Sequence, residues 1–334
     1  MSKLSPFTRR EMLKAGGASA FFAGVGSAPL LSQSAAALAK SEKKGVQVPG
    51  YYRFSIGSFE VTIVSDGNLL LPTKLLANNV PGAELTALLK AYVLDPTEDF
   101  SHLNLCLINT GEQVILIDTG AGIDFQPTGG KLLQNLEAAG YTPEDIDHII
   151  ITHGHPDHVW GIMDKFEELP RFPRAEYHIS AAEWEFWTGE ETASQLPEAV
   201  RFFASGTRKN FVPISSRTNR IAPDAEIISG VRAFPSPGHT PGHISVTVES
   251  DGEKLLVTGD AVTHAHISFE RPDWHPANDM QPKLAAKSRR QILELAANET
   301  MLIAGYHLPF PGLGRAVRKG RSYRWIPALW EWEV

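Results

Sequence analysis

From Tyr51 onward the chain is a succession of short apolar runs closed by glycine, asparagine or aspartate. Residues 59–65 (FEVTIVS) alternate β-branched and polar positions and predict a strand that stops at Asp66-Gly67. Residues 103–108 and 114–117 flank Asn109-Thr110-Gly111-Glu112, the pattern of a hairpin, and the second run ends at Asp118-Thr119-Gly120. Residues 131–139 follow helical spacing and close at Gly140. Residues 147–152 predict another strand, with His153 at its carboxyl end. Strands are predicted again at 175–179, 244–248 and 254–258, and residues 283–297 have helix-forming composition. Two strand-rich halves with intervening helices predict two sheets packed face to face and covered by helices.

The region before this pattern reads differently. Arg9-Arg10 followed by Leu13-Lys14, a Gly/Ala-rich stretch over 15–31, and Ala37-Leu38-Ala39 resemble a twin-arginine export signal cleaved after Ala39. The stretch holds four glycines and is shorter than the about 20 strongly apolar residues of a spanning helix, so stable membrane insertion is not expected. The expected organisation is a signal peptide over 1–39, a polar linker over 40–49 and one domain over 50–334, in a periplasmic or secreted protein. With 43% apolar and 21% charged residues among 334, the composition supports a full hydrophobic core. Removing residues 1–39 takes away four basic side chains and one acidic one, moving the formal charge from -7 to -10. Such an acidic chain is a poor partner for phosphate backbones, which excludes nucleic-acid binding as the expected role. Cys106 is the only cysteine, lies in an apolar run and is expected to be a buried thiol.

Against that background one stretch stands out: ITHGHPDHVWG, residues 151–161, carries His153, His155, Asp157 and His158 within six positions. His239, Asp260 and His307 follow at other predicted strand ends or loops. Five imidazoles and two carboxylates exceed what one ion needs, and nitrogen and oxygen donors without thiolate suit zinc or another divalent first-row metal. Two such ions about 3.5–4 Å apart share a hydroxide that exists at neutral pH, which makes the cluster a generator of nucleophile.

Thr152-His153-Gly154-His155-Pro156-Asp157-His158, with Asp118-Thr119-Gly120, Gly238-His239-Thr240-Pro241-Gly242-His243, Gly259-Asp260 and His307, resembles the metallo-β-lactamase superfamily in motif order and strand-end placement. The resemblance implies an α/β (α+β) fold, an αββα sandwich of two mixed β-sheets flanked by helices. It assigns His153, His155 and His239 to one metal, Asp157, His158 and His307 to the other, and Asp260 to a bridge between them. Asp118 and His243 would then support the ligands without touching metal. The cofactor expected is a pair of divalent ions, Zn2+ first, with Mn, Co or Fe as alternatives.

Longer stretches, Gly50-Tyr51-Tyr52-Arg53-Phe54, Phe59-Glu60-Val61-Thr62, Tyr306-His307-Leu308-Pro309-Phe310-Pro311-Gly312 and Tyr323-Arg324-Trp325-Ile326-Pro327, are similar to methyl parathion hydrolase and its lactonase and arylesterase relatives. That subgroup implies a binuclear, usually homodimeric hydrolase in which the metal-bridging hydroxide attacks a lactone, an aryl ester or an organophosphate triester. Phe125 and Trp187 fall where the subgroup has aromatic residues at the pocket mouth. His264 and His266 make the wall after Asp260 more polar than in parathion-hydrolysing members, which speaks against a greasy phosphotriester. Asp157 and Asp260 are placed in the catalytic machinery, and Tyr306, His264 and His266 are the candidate proton donors. His102, His148, His178 and His275 are read as ordinary core or surface residues. Trp325, Trp330 and Trp332 cover either the chain's own core or a dimer face. Two other readings stay open: a redox enzyme with one iron, and a non-catalytic metal-binding protein on the same fold.

Overall fold

The structure is a computed structural model; it describes residues 50–332 together with 45, 47 and 48. The expected signal peptide and most of the linker lie outside the described residues. The chain divides into Met1–Val46 and Gln47–Val334, and the second unit contains every element named below.

A first sheet runs in sequence order through β1 (Tyr51–Ile56), β2 (Phe59–Pro72), β3 (Glu98–Asn109), β4 (Val114–Ile117), β5 (His148–Ile151), β6 (Glu176–Ser180) and β7 (Thr218–Ile221). Its first four strands pair antiparallel and the pairs from β4 to β7 are parallel, so it is mixed. The second sheet comprises β8 (Glu226–Ile228), β9 (Val231–Pro235), β10 (Ile244–Ser250), β11 (Glu253–Val257), β12 (Leu302–Ala304), β13 (Leu313–Lys319) and β14 (Ser322–Pro327), ordered from β14 at one edge to β8 at the other. It too is mixed, since β11 and β12 run parallel. The helices are α1 (Gly82–Ala91), α2 (Leu132–Ala138), α3 (Pro156–Val159), α4 (Ala181–Thr188), α5 (Thr192–Gln195), α6 (Arg201–Ile214), α7 (Ile267–Glu270) and α8 (Pro282–Asn298).

Strand alternation divides the core into layers. Val61, Ile63, Cys106, Ile108, Ile115, Ile117 and Ile150 of the first sheet meet Val231, Ala233, Ile244, Val246, Val248 and Leu255 of the second. Their neighbours along the strands, Leu105, Leu107, Leu116, Ile149 and Ile151, point the other way and pack with Leu132, Leu136, Trp184 and Phe211. Leu256 and Ile303 lie with Ile292, Leu293 and Ala296 of α8 on the outer face of the second sheet. Both sheets are therefore covered on both faces, which gives the αββα layering. Cys106 is buried between the sheets, and burial pushes its thiol up to about 12.

One predicted boundary is corrected. The strand from Phe59 does not stop at Asp66-Gly67 but continues to Pro72, with a register shift against β3 between Ser65 and Gly67. The Asp-Gly pair makes a bulge rather than a turn. Asp66 is buried and accepts hydrogen bonds from the Ala121 and Leu132 amides, each at 2.7 Å. Burial raises its carboxyl to about 6 against those bonds. The bulge thus ties β2 to the loop that follows β4, on the same side as the histidine cluster.

Candidate metal centre

The carboxyl ends of β4, β5 and β11, the β9–β10 loop and the turn after β12 deliver the ligand-type side chains to one place. β5 ends at Ile151, His153 follows two residues later, and His155 stands at the N-cap of α3, whose first turn presents Asp157 and His158. Gly154 separates the two histidines because a Cβ there would lie 2.4 Å from the Trp187 indole. His153 Nε2 is 3.0 Å from His155 Nδ1, which is 2.9 Å from His239 Nε2. Asp260 sits in a single turn after β11, where Gly259 has φ +50 and a Cβ would lie 2.8 Å from His243 Nε2. One Asp260 oxygen is 3.2 Å from His158 Nε2, and the other is 3.3 Å from His239 Nε2 and 3.2 Å from His307 Nε2.

Two ligand sets result. Donor atoms of His153, His155, His239 and Asp260 lie within 4.8 Å of one another, as do those of Asp157, His158 and His307. All seven residues are buried. His158 Nε2 and Asp260 Oδ1 approach to 3.2 Å, yet neither makes a hydrogen bond among the described residues, although polar groups so deeply buried are normally satisfied. A cation accepting both lone pairs removes that deficit, so the donor set fits divalent metal. Burial lowers His158, but the carboxylates of Asp260, Asp157 and Asp118 outweigh it and hold the imidazole well above its usual range. Burial raises Asp260, yet the facing His307 and His158 hold it well below the carboxylate range. Burial and the crowding of imidazoles push His153 and His155 well down. Burial lowers His239 and His307 as well, but Asp260 outweighs it and raises both, His239 to about 9. His153 and His155 are thus neutral donors, whereas His158, His239 and His307 are charged partners of the carboxylates, and a metal ion binding there would displace their protons.

Each ring is aimed by a neighbour. Asp118, with φ +65 after β4, accepts from the Thr152 amide and hydroxyl and lies 2.8 Å from His158 Nδ1. His243 joins Ser236 at 2.8 Å and accepts the Asp260 amide at 3.0 Å, so it positions Asp260 without entering the cluster. His307 Nδ1 donates to the His102 carbonyl at 2.8 Å.

Three buried residues that the sequence did not single out complete this shell. Asp279 holds His239 Nδ1 at 2.9 Å and pairs with Arg289 at 3.1 Å. Arg289, fully buried on α8, also donates to the Ala261 carbonyl beside Asp260. Glu183 accepts from the amides of Gly154 and Gly242, the Thr240 hydroxyl and the Trp187 indole, binding the two histidine loops together. Local spacing carries no sign of these roles, because each partner is distant in the chain or apolar in character.

Several expectations about the pocket are corrected. Trp187 is 0% exposed and packs in the core, with its edge towards His155, so it cannot line a pocket mouth. Phe125 is half-buried and meets Phe203 and Trp160 edge to face; Phe203, also half-buried, lies 6.1 Å from the His155 ring. The Tyr306 hydroxyl donates to the Asp157 carbonyl at 2.7 Å and its ring stacks on His158, so its proton serves structure. His264 Nδ1 accepts the amides of His266 and Ile267 at the start of α7, and burial lowers the ring to about 3. A ring so occupied is neutral and has no readily released proton. His266 is half-buried and stacks on Tyr92 at 3.7 Å. Asp99 on β3, also unremarked in the sequence, places a carboxylate oxygen 3.9 Å from His264 Nε2.

The family model of the metallo-beta-lactamase superfamily matches residues 103–307. A probable metallo-hydrolase of Mycobacterium bovis is 29% identical over 191 residues, which cover 48% of this chain and 57% of that protein, so this chain spans less than two thirds of that relative's length. An N-acyl homoserine lactonase of Bacillus cereus is 26% identical over 217 residues, 59% of this chain and 77% of that protein. Among solved structures, the hydrolase AbOPH of the beta lactamase superfamily is similar at a TM-score of 0.79 and 32% identity over 86% of this chain and 100% of its own. AidC, a dizinc quorum-quenching lactonase in complex with a product, gives a TM-score of 0.80 at 30% identity over 84% of this chain and 98% of its own. Motifs, layering and ligand geometry agree with these matches: the chain belongs to the metallo-beta-lactamase superfamily.

Proposed function

We propose that the chain is a hydrolase that works with two divalent metal ions, zinc first, and opens a lactone or aryl ester, with organophosphate triesters as the neighbouring substrate class. The observation that carries this reading is the convergence of two buried ligand sets on one carboxylate, Asp260, which faces both. His153, His155 and His239 would hold one ion, Asp157, His158 and His307 the other. Ions bound there supply Lewis acidity for an acyl or phosphoryl oxygen and activate water at neutral pH.

The remaining work falls to the chain. Asp118, Asp279 and the His102 carbonyl fix the rings so that their free nitrogens face inward before substrate arrives. Phe125 and Phe203 offer flat apolar surface to an acyl chain or aryl leaving group. Tyr306 and His264 have their protons committed to backbone contacts or to the ring's own tautomer, so the site favours leaving groups that depart as stable anions, aryl or enol oxygen. AidC is a lactonase and the Bacillus cereus relative an N-acyl homoserine lactonase, which supports the lactone arm; the alkoxide released from such a ring would take its proton from water rather than from Tyr306 or His264. A homodimer and export by the twin-arginine route belong to the same proposal; Trp330 and Trp332, 67% and 81% exposed, offer surface for a second copy. Light scattering and cell fractionation test these two points.

The test of the main reading is a rate panel on zinc- or manganese-loaded protein with an aryl lactone, an aryl ester, methyl parathion and a β-lactam, each with and without chelator, alongside metal analysis. The expected result is chelator-sensitive turnover, fastest on lactone or ester, with two ions per hydrolytic centre. Turnover that ignores the chelator, or a single iron with no hydrolysis of any substrate, overturns it.

A further inference from the structure

A second group of ligand-type side chains converges far from that centre. His148 opens β5, and the parallel register sets it opposite Glu176 while Ile150 faces His178 on β6. Strand alternation puts His148, Glu176 and His178 on one face of the sheet, the face that at Ile150 enters the core between the sheets. His148 Nδ1 lies 3.1 Å from His178 Nε2, and one donor atom from each of the three residues falls within 4.8 Å of the others. His178 is buried, His148 half-buried and Glu176 exposed, so the group has a protected side and a side open to water. Five residues along the chain separate His148 from His153, about 16 Å at about 3.3 Å per residue, which places the two clusters at opposite ends of one strand.

We propose that His148, Glu176 and His178 form a separate site for a divalent transition-metal ion of the zinc class, with its fourth position taken by solvent. Two imidazoles and one carboxylate with an open position are a donor set of that class, whereas calcium and magnesium call for oxygen. Zn–N bonds of about 2.0–2.1 Å in a tetrahedron put ligand nitrogens about 3.3 Å apart, close to the separation of the two rings. Rings this near cannot both carry a proton, so at least one free lone pair faces the gap. Burial and the neighbouring His148 lower His178 to about 4, which leaves the ring uncharged and free of a competing proton near neutrality. The Asn219 amide of β7 donates to Glu176 Oε2 at 3.3 Å, which leaves the other oxygen for an ion. An ion bound there pins β5 to β6 at the end remote from the hydrolytic centre.

The experiment equilibrates the full chain with buffered Zn2+ and counts bound metal by mass spectrometry for wild type, Glu176→Gln and the double variant His148→Gln/His178→Gln. The double variant is expected to carry one ion fewer per chain than wild type. Glu176→Gln is expected to bind that ion about tenfold or more weakly, since even outer contacts of a metal ligand contribute this much. Loading with Cu2+ should give an electron paramagnetic resonance signal with coupling to two nitrogens that the double variant lacks. Equal stoichiometry and affinity in all three proteins overturn the proposal and leave a plain histidine–histidine hydrogen bond. If the double variant does not fold, Glu176→Gln decides alone, because Glu176 is exposed: unchanged zinc affinity in it overturns the site.

Discussion

Asp118 makes three contacts with one carboxylate, to the Thr152 amide, the Thr152 hydroxyl and His158 Nδ1. An asparagine of the same size must turn its NH2 towards one of them, so either the strand end or the imidazole loses its acceptor. Asp118→Asn is expected to weaken metal binding about 10–100-fold, read by competition with a chromogenic chelator, and excess metal should restore activity. His264 makes a prediction about pH. Its folded value of about 3 lies below the ordinary 6.5, so the unfolded chain takes up the proton first as pH falls. The contribution of His264 to stability is thus present above pH 6.5 and lost on the way down towards pH 3, about 2 kcal/mol of it by pH 5. His264→Asn keeps an acceptor for the two amides and removes the titration. Its stability in urea should therefore fall less than that of wild type between pH 7 and pH 5; parallel curves contradict this account.

At the scale of elements, the histidine loop after β5 is shaped from outside itself. Gly154 lies against Trp187 of α4, and Glu183 of the same helix accepts the Gly154 amide as well as the Gly242 amide beyond β9. One short helix therefore sets the spacing of two ligand loops. Gly154→Ala puts a methyl where the indole already stands, an overpacking expected to cost about 1–3 kcal/mol in urea melts and to tilt His153 and His155 apart. Metal affinity and activity should fall together while far-ultraviolet circular dichroism stays unchanged; normal affinity would show that the loop adapts. The tight His-Gly-His spacing was readable in the chain because its residues are neighbours. The dependence on α4 was not, because Glu183 looks in sequence like any acidic residue of a helix first turn.

For the whole molecule, the buried ligand residues leave two atoms, His158 Nε2 and Asp260 Oδ1, without a hydrogen-bond partner among the described residues. An ion that binds the folded chain and not the unfolded one would add about 4 kcal/mol at a thousandfold excess over Kd. Removing metal with a chelator is expected to lower Tm on the order of ten degrees, reversibly on adding zinc, as followed by calorimetry. A Tm indifferent to chelator contradicts a metal role in the fold. At this scale the fold itself was open to reading: alternating runs in two halves led to two sheets, and both observed sheets have seven strands.

What the sequence by itself determined was whatever depends on neighbours in the chain: strands from alternation, the helix that closes at Gly140, and the donor-rich stretch from His153 to His158. The assignment of His239, Asp260 and His307 to the same centre came from the order of motifs and not from any local rule. Tertiary structure alone decided that Asp66-Gly67 is a bulge, that Trp187 is core and Phe203 lies by His155, and that His264 accepts the backbone amides of His266 and Ile267. It also decided the backing of His239 by Asp279 and Arg289, and the meeting of His148 with Glu176 and His178. The reason is physical. Backbone propensity and periodicity act over a few residues, whereas burial and hydrogen-bond partnership depend on which distant strands and helices the packed layers bring together.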